Sequence, residues 1–199
     1  MSHSIAVVIP AYNEAAAIGA VVCAIPVGLP NTVVVVDNGS TDDTAARAAE
    51  AGARVVSEPR RGYGQACQAG LAVVDADVIV FLDGDFSDYP DEMPALVRPI
   101  VDGEADLVIG SRTRGISERG ALLPQQRFGN ALATGLIRLL FGIAYSDLGP
   151  FRAISAQALR RLDMRDTNYG WTVEMQVKAA RLKLDIDEVP VSYRRRIGQ

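Results

Sequence analysis

Two periodicities alternate along this chain. Short apolar runs at 5–9, 32–36, 54–57, 78–82, 107–110 and 186–191 read as strands, and three of them (5–9, 32–36 and 78–82) are apolar at nearly every position, as strands buried on both faces are. Between them, 14–24, 43–52, 64–74, 125–141 and 172–182 read as helices, and Asp88-Tyr89-Pro90-Asp91-Glu92 opens one more. A turn at 147–152 leads into a further short strand. Strand and helix in turn, joined by short connections, predict an α/β domain with a mostly parallel central sheet and helices on both faces.

The regular alternation holds to about residue 115. A polar, Gly-rich loop then runs to about Pro124 and leads into the longest helical segment, where Phe128, Leu132, Leu136 and Leu139 or Leu140 recur on one face. Arg127, Asn130, Thr134 and Arg138 recur on another. The ordinary expectation is a surface helix whose apolar stripe faces the core, although basic amphipathic helices also lie on membrane surfaces. A chain of 199 residues is expected to form a single domain, here with two parts, 1–115 and 116–199.

Charge narrows the partners. Twenty Lys and Arg against 24 Asp and Glu give a net charge of -4, so no general basic surface invites nucleic acid. Cys23 and Cys67 fall in helical segments and are expected as free, buried thiols of a reducing compartment. The single histidine, His3, lies at the start of the chain, which sets aside a His-based metal site or a His general base. No secretory signal opens the sequence and no apolar run reaches the roughly 18 residues that span a bilayer. A cytoplasmic place is therefore expected, with peripheral attachment at the membrane face as a variant. The last residues form a basic cluster, Arg194-Arg195-Arg196, and a continuation past Gln199 is an open expectation, as is a homo-oligomer.

Candidate chemistry concentrates at Asp83-Gly84-Asp85, which follows the apolar run 78–82. Two carboxylates spaced i, i+2 at the carboxyl end of a buried strand can both turn toward one ligand in the crevice there. Hard oxygens suit Mg²⁺ or Mn²⁺, ions that keep positions open for substrate phosphates. Glu14 follows the first strand and Asp37 ends the second, so a parallel sheet would bring all these acids to one edge. A turn role competes at each: Asp37 could close an Asx-turn onto Gly39 and Ser40. Gly62-Tyr63-Gly64 is not a dinucleotide fingerprint, because Cys67 stands at the third glycine position and the third strand precedes it.

In this order, Val8-Ile9-Pro10-Ala11-Tyr12-Asn13-Glu14, Val35-Val36-Asp37-Asn38-Gly39-Ser40-Thr41-Asp42-Asp43, Gly62-Tyr63-Gly64-Gln65-Ala66 and Phe81-Leu82-Asp83-Gly84-Asp85 resemble the family 2 glycosyltransferases of GT-A fold. Gly110-Ser111-Arg112, 147–152, 169–175 and 188–191 are similar to the branch that makes dolichyl- or polyprenyl-phosphate mannose or glucose. The resemblance implies a nucleotide-sugar-binding part at 1–115 and an acceptor-binding part at 116–199. It implies a nucleoside pocket lined by Pro10, Ala11, Tyr12 and Glu14, with Asp37 on the base and Gly62, Asp83 and Gly84 beside the nucleotide. Asp85, with Asp83, would hold Mg²⁺ or Mn²⁺ on the diphosphate.

Such a protein would move a hexose from a UDP- or GDP-linked donor with inversion, the metal stabilising charge on the departing diphosphate. A polyprenyl phosphate acceptor is already anionic near pH 7 and needs cations, for which Arg112, Arg127 and Arg152 are candidates. A hydroxyl acceptor would instead need a base, Glu174 or Asp147. Each of these residues has an ordinary surface, ion-pair or helix-dipole role as its competitor. Two other readings stay in view: a dehalogenase-type phosphohydrolase, against which the pair's place after the fourth strand counts, and a non-catalytic nucleotide-sugar-binding module.

Overall fold

The computed structural model describes residues 3–122 and 124–198, without the side chains of Gln126 and Arg127. Seven strands form one sheet: β1 (Ile5–Ala11), β2 (Thr32–Asp37), β3 (Arg54–Ser57), β4 (Val78–Phe81), β5 (Leu107–Ser111), β6 (Arg152–Ser155) and β7 (Ile186–Pro190). Their order across the sheet is β3-β2-β1-β4-β6-β5-β7. All neighbouring pairs are parallel except those that β6 makes with β4 and β5. The mostly parallel sheet expected from the alternation is thus present, interrupted by one reversed strand.

Alternation along each strand feeds two cores. Ile5, Val7 and Ile9 of β1 and Val78 and Val80 of β4 face one cluster, shared with Ile18 and Val21 of α1 (Ile18–Ala24), Ala48 of α2 (Thr44–Glu50) and Leu96 of α4 (Met93–Val101). Ala6, Val8, Ile79 and Phe81 face the other, shared with Cys67 of α3 (Tyr63–Leu71), Ile137 of α5 (Pro124–Phe141), Ala158 of α6 (Ala156–Leu162) and Met175 of α7 (Trp171–Arg181). Apolar area removed on both faces is what makes these strands near-continuous hydrophobic runs. Trp171 is fully buried and meets Phe81 edge-on at 6.1 Å, directly beneath the strand that leads to Asp83.

Three expectations need correction. Helix α6 was not foreseen between β6 and α7; its start is marked by Ser155, whose Oγ caps the helix by accepting from the Ala158 amide at 3.1 Å. Cys67 is buried as expected, but Cys23 is exposed. The apolar stripe of α5 faces outward, with Phe128, Leu132, Leu136, Leu139 and Leu140 all exposed. The helix is instead seated through Ile137 and Asn130, whose amide side chain donates to the Ser146 carbonyl at 3.2 Å and accepts from the Leu148 amide at 2.8 Å. The period predicts a two-faced helix, and buried Ile137 with the part-buried hydrogen bonds of Asn130 marks the face that turns in. Among the described residues no helix is long and apolar enough to cross a membrane.

Candidate active site

Parallel pairing of β1 with β2 and β4 brings three strand ends to one edge of the sheet. Ala11 lies opposite Asp37, and Val8 opposite Phe81, so the chain leaves β1 and β4 side by side. The crevice between these exits has a volume of about 1070 Å³ and is lined by Pro10, Ala11, Tyr12 and Glu14 on one wall and Asp83, Gly84 and Asp85 on the other. Gly62, Arg61 and Arg196 also reach it. Gly84 packs against the first wall, where an added Cβ would stand 3.4 Å from Ala11 Cβ and from the Pro10 carbonyl.

The acids in the crevice are electrostatically strained. Burial, and then the Asp85 carboxylate, raise the Asp83 carboxyl to about 6, against a hydrogen bond donated by Tyr63 Oη to Asp83 Oδ1 at 3.1 Å. Burial likewise raises Glu14 to about 7; Arg196 opposes this, and Asp85 and Asp83 add to it. Glu14 Oε2 is buried with no hydrogen-bond partner among the described residues. A cation already stands at this spot, because Arg196 donates to Glu14 Oε1 at 2.8 Å and its Nε lies 3.7 Å from Asp85 Oδ2. Asp85 is aimed by its neighbour: Oδ1 accepts from the Ser87 amide at 2.9 Å and from Ser87 Oγ at 2.6 Å, leaving Oδ2 toward Arg196.

Hard carboxylate oxygens, mutually repelling and short of positive charge, suit a divalent ion. Among the described residues no group of three or more Asp, Glu, His or Cys converges on one point. The residues that could hold such an ion are the Asp83 and Asp85 pair, a donor set that would suit an ion completing its shell from other oxygens.

Other expected residues lie elsewhere. Asp37 does not line the crevice, whereas its neighbour Asn38 does; Asp37 Oδ1 accepts from the Ser40 amide at 3.1 Å, the turn geometry that competed with base binding. Gly62 does line the crevice; it has φ +142°, and an added Cβ would run into the Thr167 carbonyl, so the 167–168 loop is by itself enough to require glycine there. The Gly62 amide is held by Asn38 Oδ1 at 2.8 Å.

The arginines expected to meet an acceptor are largely engaged. Arg152 is fully buried and donates to the carbonyls of Gly149, Leu148 and Thr172, so it braces the 148–149 turn and does not face an acceptor. Arg112 forks onto both oxygens of Asp147 at 2.8 Å and stands over the Tyr193 ring at 5.0 Å. Burial alone would push its guanidinium down, but the Asp147 bonds carry it above the ordinary range. The side chain of Arg127 lies outside the described residues. Neither base candidate is free: Asp147 is 1% exposed and tied to Arg112, and Glu174 accepts from the amides of Arg165 and Asp166 and pairs with Lys178 at 2.7 Å. Burial opposes, but the hydrogen bonds from Lys178, Asp166 and Arg165 hold the Glu174 carboxyl below its usual value.

The sequence reasoning passed over two cations of the crevice. Arg61 stacks on the Tyr12 ring at 3.4 Å, and Arg196 belongs to the basic cluster Arg194-Arg195-Arg196. That cluster is strapped across the loop after Asp85: the Arg194 guanidinium stacks on Phe86 at 3.4 Å and donates to the carbonyls of Phe86 and Asp88, and the Ile197 amide donates to the Asp85 carbonyl at 2.9 Å. Three arginines in a row were the available signal.

A doubly covered, mostly parallel sheet with a carboxylate pair at its carboxyl edge is the GT-A arrangement, and the molecule is a glycosyltransferase. The sequence model of Glycosyl transferase family 2 matches residues 6–163, and the chain belongs to that family. It is 37% identical to a glycosyltransferase of Mycobacterium tuberculosis over 98% of this chain and 87% of that protein. It is 34% identical to the dolichyl-phosphate hexose transferase of Haloferax volcanii, over 98% of this chain and 85% of the relative. Among solved structures, glucosyl-3-phosphoglycerate synthase from Mycobacterium tuberculosis in complex with Mn²⁺, UDP and phosphoglyceric acid superposes with a TM-score of 0.79 at 31% identity, covering 100% of this chain and 71% of that one. The same synthase has also been solved with Mg²⁺ and UDP.

Proposed function

We propose that this protein transfers a hexose, with inversion, from a UDP- or GDP-linked donor to a polyprenyl phosphate. The observation that carries the donor half is the single crevice that joins the Pro10–Glu14 wall to Asp83 and Asp85. Support for a diphosphate with Mg²⁺ or Mn²⁺ comes from the carboxylate chemistry of that crevice and from the solved relatives that hold UDP with either ion.

Asp85, aimed by Ser87, and Asp83 would hold the ion; when bound, it neutralises charge that builds on the departing diphosphate. Arg61 and Arg196 bring further positive charge to the same crevice, and Arg196 would exchange its bond to Glu14 for a phosphate oxygen. Tyr63 keeps Asp83 pointed inward. Attack on the anomeric carbon from the face opposite the diphosphate inverts its configuration.

The acceptor half rests on two observations. The dolichyl-phosphate hexose transferase relative is similar over nearly the whole chain. Asp147 and Glu174, the bases that a hydroxyl acceptor would have used, are each tied up in ion pairs and hydrogen bonds, whereas a phosphate monoester with a second pKa near 6 attacks as the anion it already is.

The test is transfer of labelled hexose from UDP-glucose and GDP-mannose, with Mn²⁺, into a polyprenyl phosphate that partitions into organic solvent. Label should move to the lipid with one of the two donors. Transfer only to a water-soluble acceptor in a parallel assay would overturn the lipid assignment and leave the donor site standing.

A further inference from the structure

We infer that helix α5 is a docking surface for an anionic lipid bilayer, lying along it with its outer face in the headgroup region. Phe128, Leu132, Leu136, Leu139 and Leu140 are 71%, 54%, 48%, 79% and 69% exposed. At 3.6 residues per turn they fall within an arc of about 120°, so they form one continuous strip rather than scattered exposures. An added Cβ at Gly129 or Gly135 would meet nothing within 4 Å, so the outer side of the helix is open along its length. Apolar strips of this extent on a folded surface mark an interaction site.

Charge selects the occupant. From Arg119 to Ser146 the sequence contains Arg119, Arg127 and Arg138 and no Asp or Glu, in a chain whose net charge is -4. Arg138 is exposed in the last turn of the helix. The net-acidic remainder of the molecule would be repelled by an anionic surface, and this segment is locally the reverse. A second copy packed on the same strip would be related by a two-fold axis and would bring the same arginines, with no acid in the segment to meet them. Anionic headgroups supply the missing charge, and the acyl boundary takes the five apolar side chains.

The inference is independent of donor and acceptor chemistry, since lipid docking needs neither. Its test is co-sedimentation of the full chain with vesicles of phosphatidylglycerol and phosphatidylcholine, against pure phosphatidylcholine vesicles, at low and high salt. The native chain should bind the mixed vesicles at least tenfold more tightly than the neutral ones, and salt should weaken it. The variant Leu136→Asp/Leu139→Asp should lose at least tenfold of that binding while keeping the native melting temperature and nucleotide binding. No binding to the mixed vesicles, or equal binding by the variant, would overturn the inference. So would a dimer in sedimentation velocity that the same variant converts to monomer, because a second copy would then own the strip.

Discussion

The crevice at the ends of β1 and β4 and the outer face of α5 were equally conspicuous in the sequence, and the structure treats them in opposite ways. At the crevice, polar side chains are drawn in and held: Asp83 by Tyr63, Asp85 by Ser87 and Glu14 by Arg196. Along α5 apolar side chains are turned out and Asn130 is turned in. Each region breaks the rule that apolar groups go inside and charged groups stay outside. The cost of confining carboxylates and of exposing a leucine strip is tolerated where a ligand or surface is to supply the missing partner.

The contrast can be broken first from beneath. Trp171→Ala removes the largest fully buried side chain, packed on Phe81 under the crevice, and should cost ~3–5 kcal/mol in denaturant unfolding. Leu139→Gln on the α5 strip should change the same measurement by no more than about 0.5 kcal/mol. Equal costs would mean that the strip is packed in solution and that the two regions do not differ as described.

A second test removes the engaged arginine. Arg112→Ala leaves the Asp147 carboxylate buried without its fork, so a loss of ~3–5 kcal/mol is expected, whereas Arg112→Ala/Asp147→Ala should recover part of it. If Arg112→Ala were neutral for stability but weakened acceptor use alone, Arg112 would be an acceptor ligand after all.

At the crevice itself, Asp85→Ala should lower transfer by on the order of 10²-fold or more, a loss far larger than any change in unfolding from giving up its two bonds from Ser87. The pH dependence sharpens this further. Glu14 and Asp83 are raised in the folded protein, to about 7 and about 6, above the ordinary carboxylate values they regain on unfolding. Their contribution to stability is therefore complete below about pH 4 and is lost as pH rises through 6 to 7. The protein without ligand should melt at lower temperature at pH 8 than at pH 5, by a margin that Asp83→Asn reduces. Mn²⁺ with UDP should narrow the same margin, because the bound ion favours the ionised carboxylates.

Much of this was legible in the sequence. Runs apolar on both faces fixed the sheet, and parallel strands send every carboxyl end to one edge, so Pro10, Ala11, Tyr12, Glu14, Asp83, Gly84 and Asp85 line one crevice as expected. What was not legible depends on partners that only the folded chain brings into reach. Arg152 looked like a phosphate ligand until the carbonyls of Gly149 and Thr172 claimed it, and Glu174 like a base until the Arg165 and Asp166 amides did. Gly62 is a glycine because of a loop more than a hundred residues later. The facing of α5 could not follow from period alone, since its two faces repeat comparably and the burial of Ile137 together with the contacts of Asn130 at 146–148 decides between them.

The central claim is that the crevice binds a nucleoside diphosphate through a divalent ion held by Asp85. Calorimetric titration of UDP and GDP into the native chain and into Asp85→Ala, each with and without Mn²⁺, addresses it directly. One nucleotide should bind the native chain with an affinity that Mn²⁺ raises at least tenfold, and that increment should vanish in Asp85→Ala. Binding that is indifferent to Mn²⁺, or an increment that survives in the variant, would contradict the account.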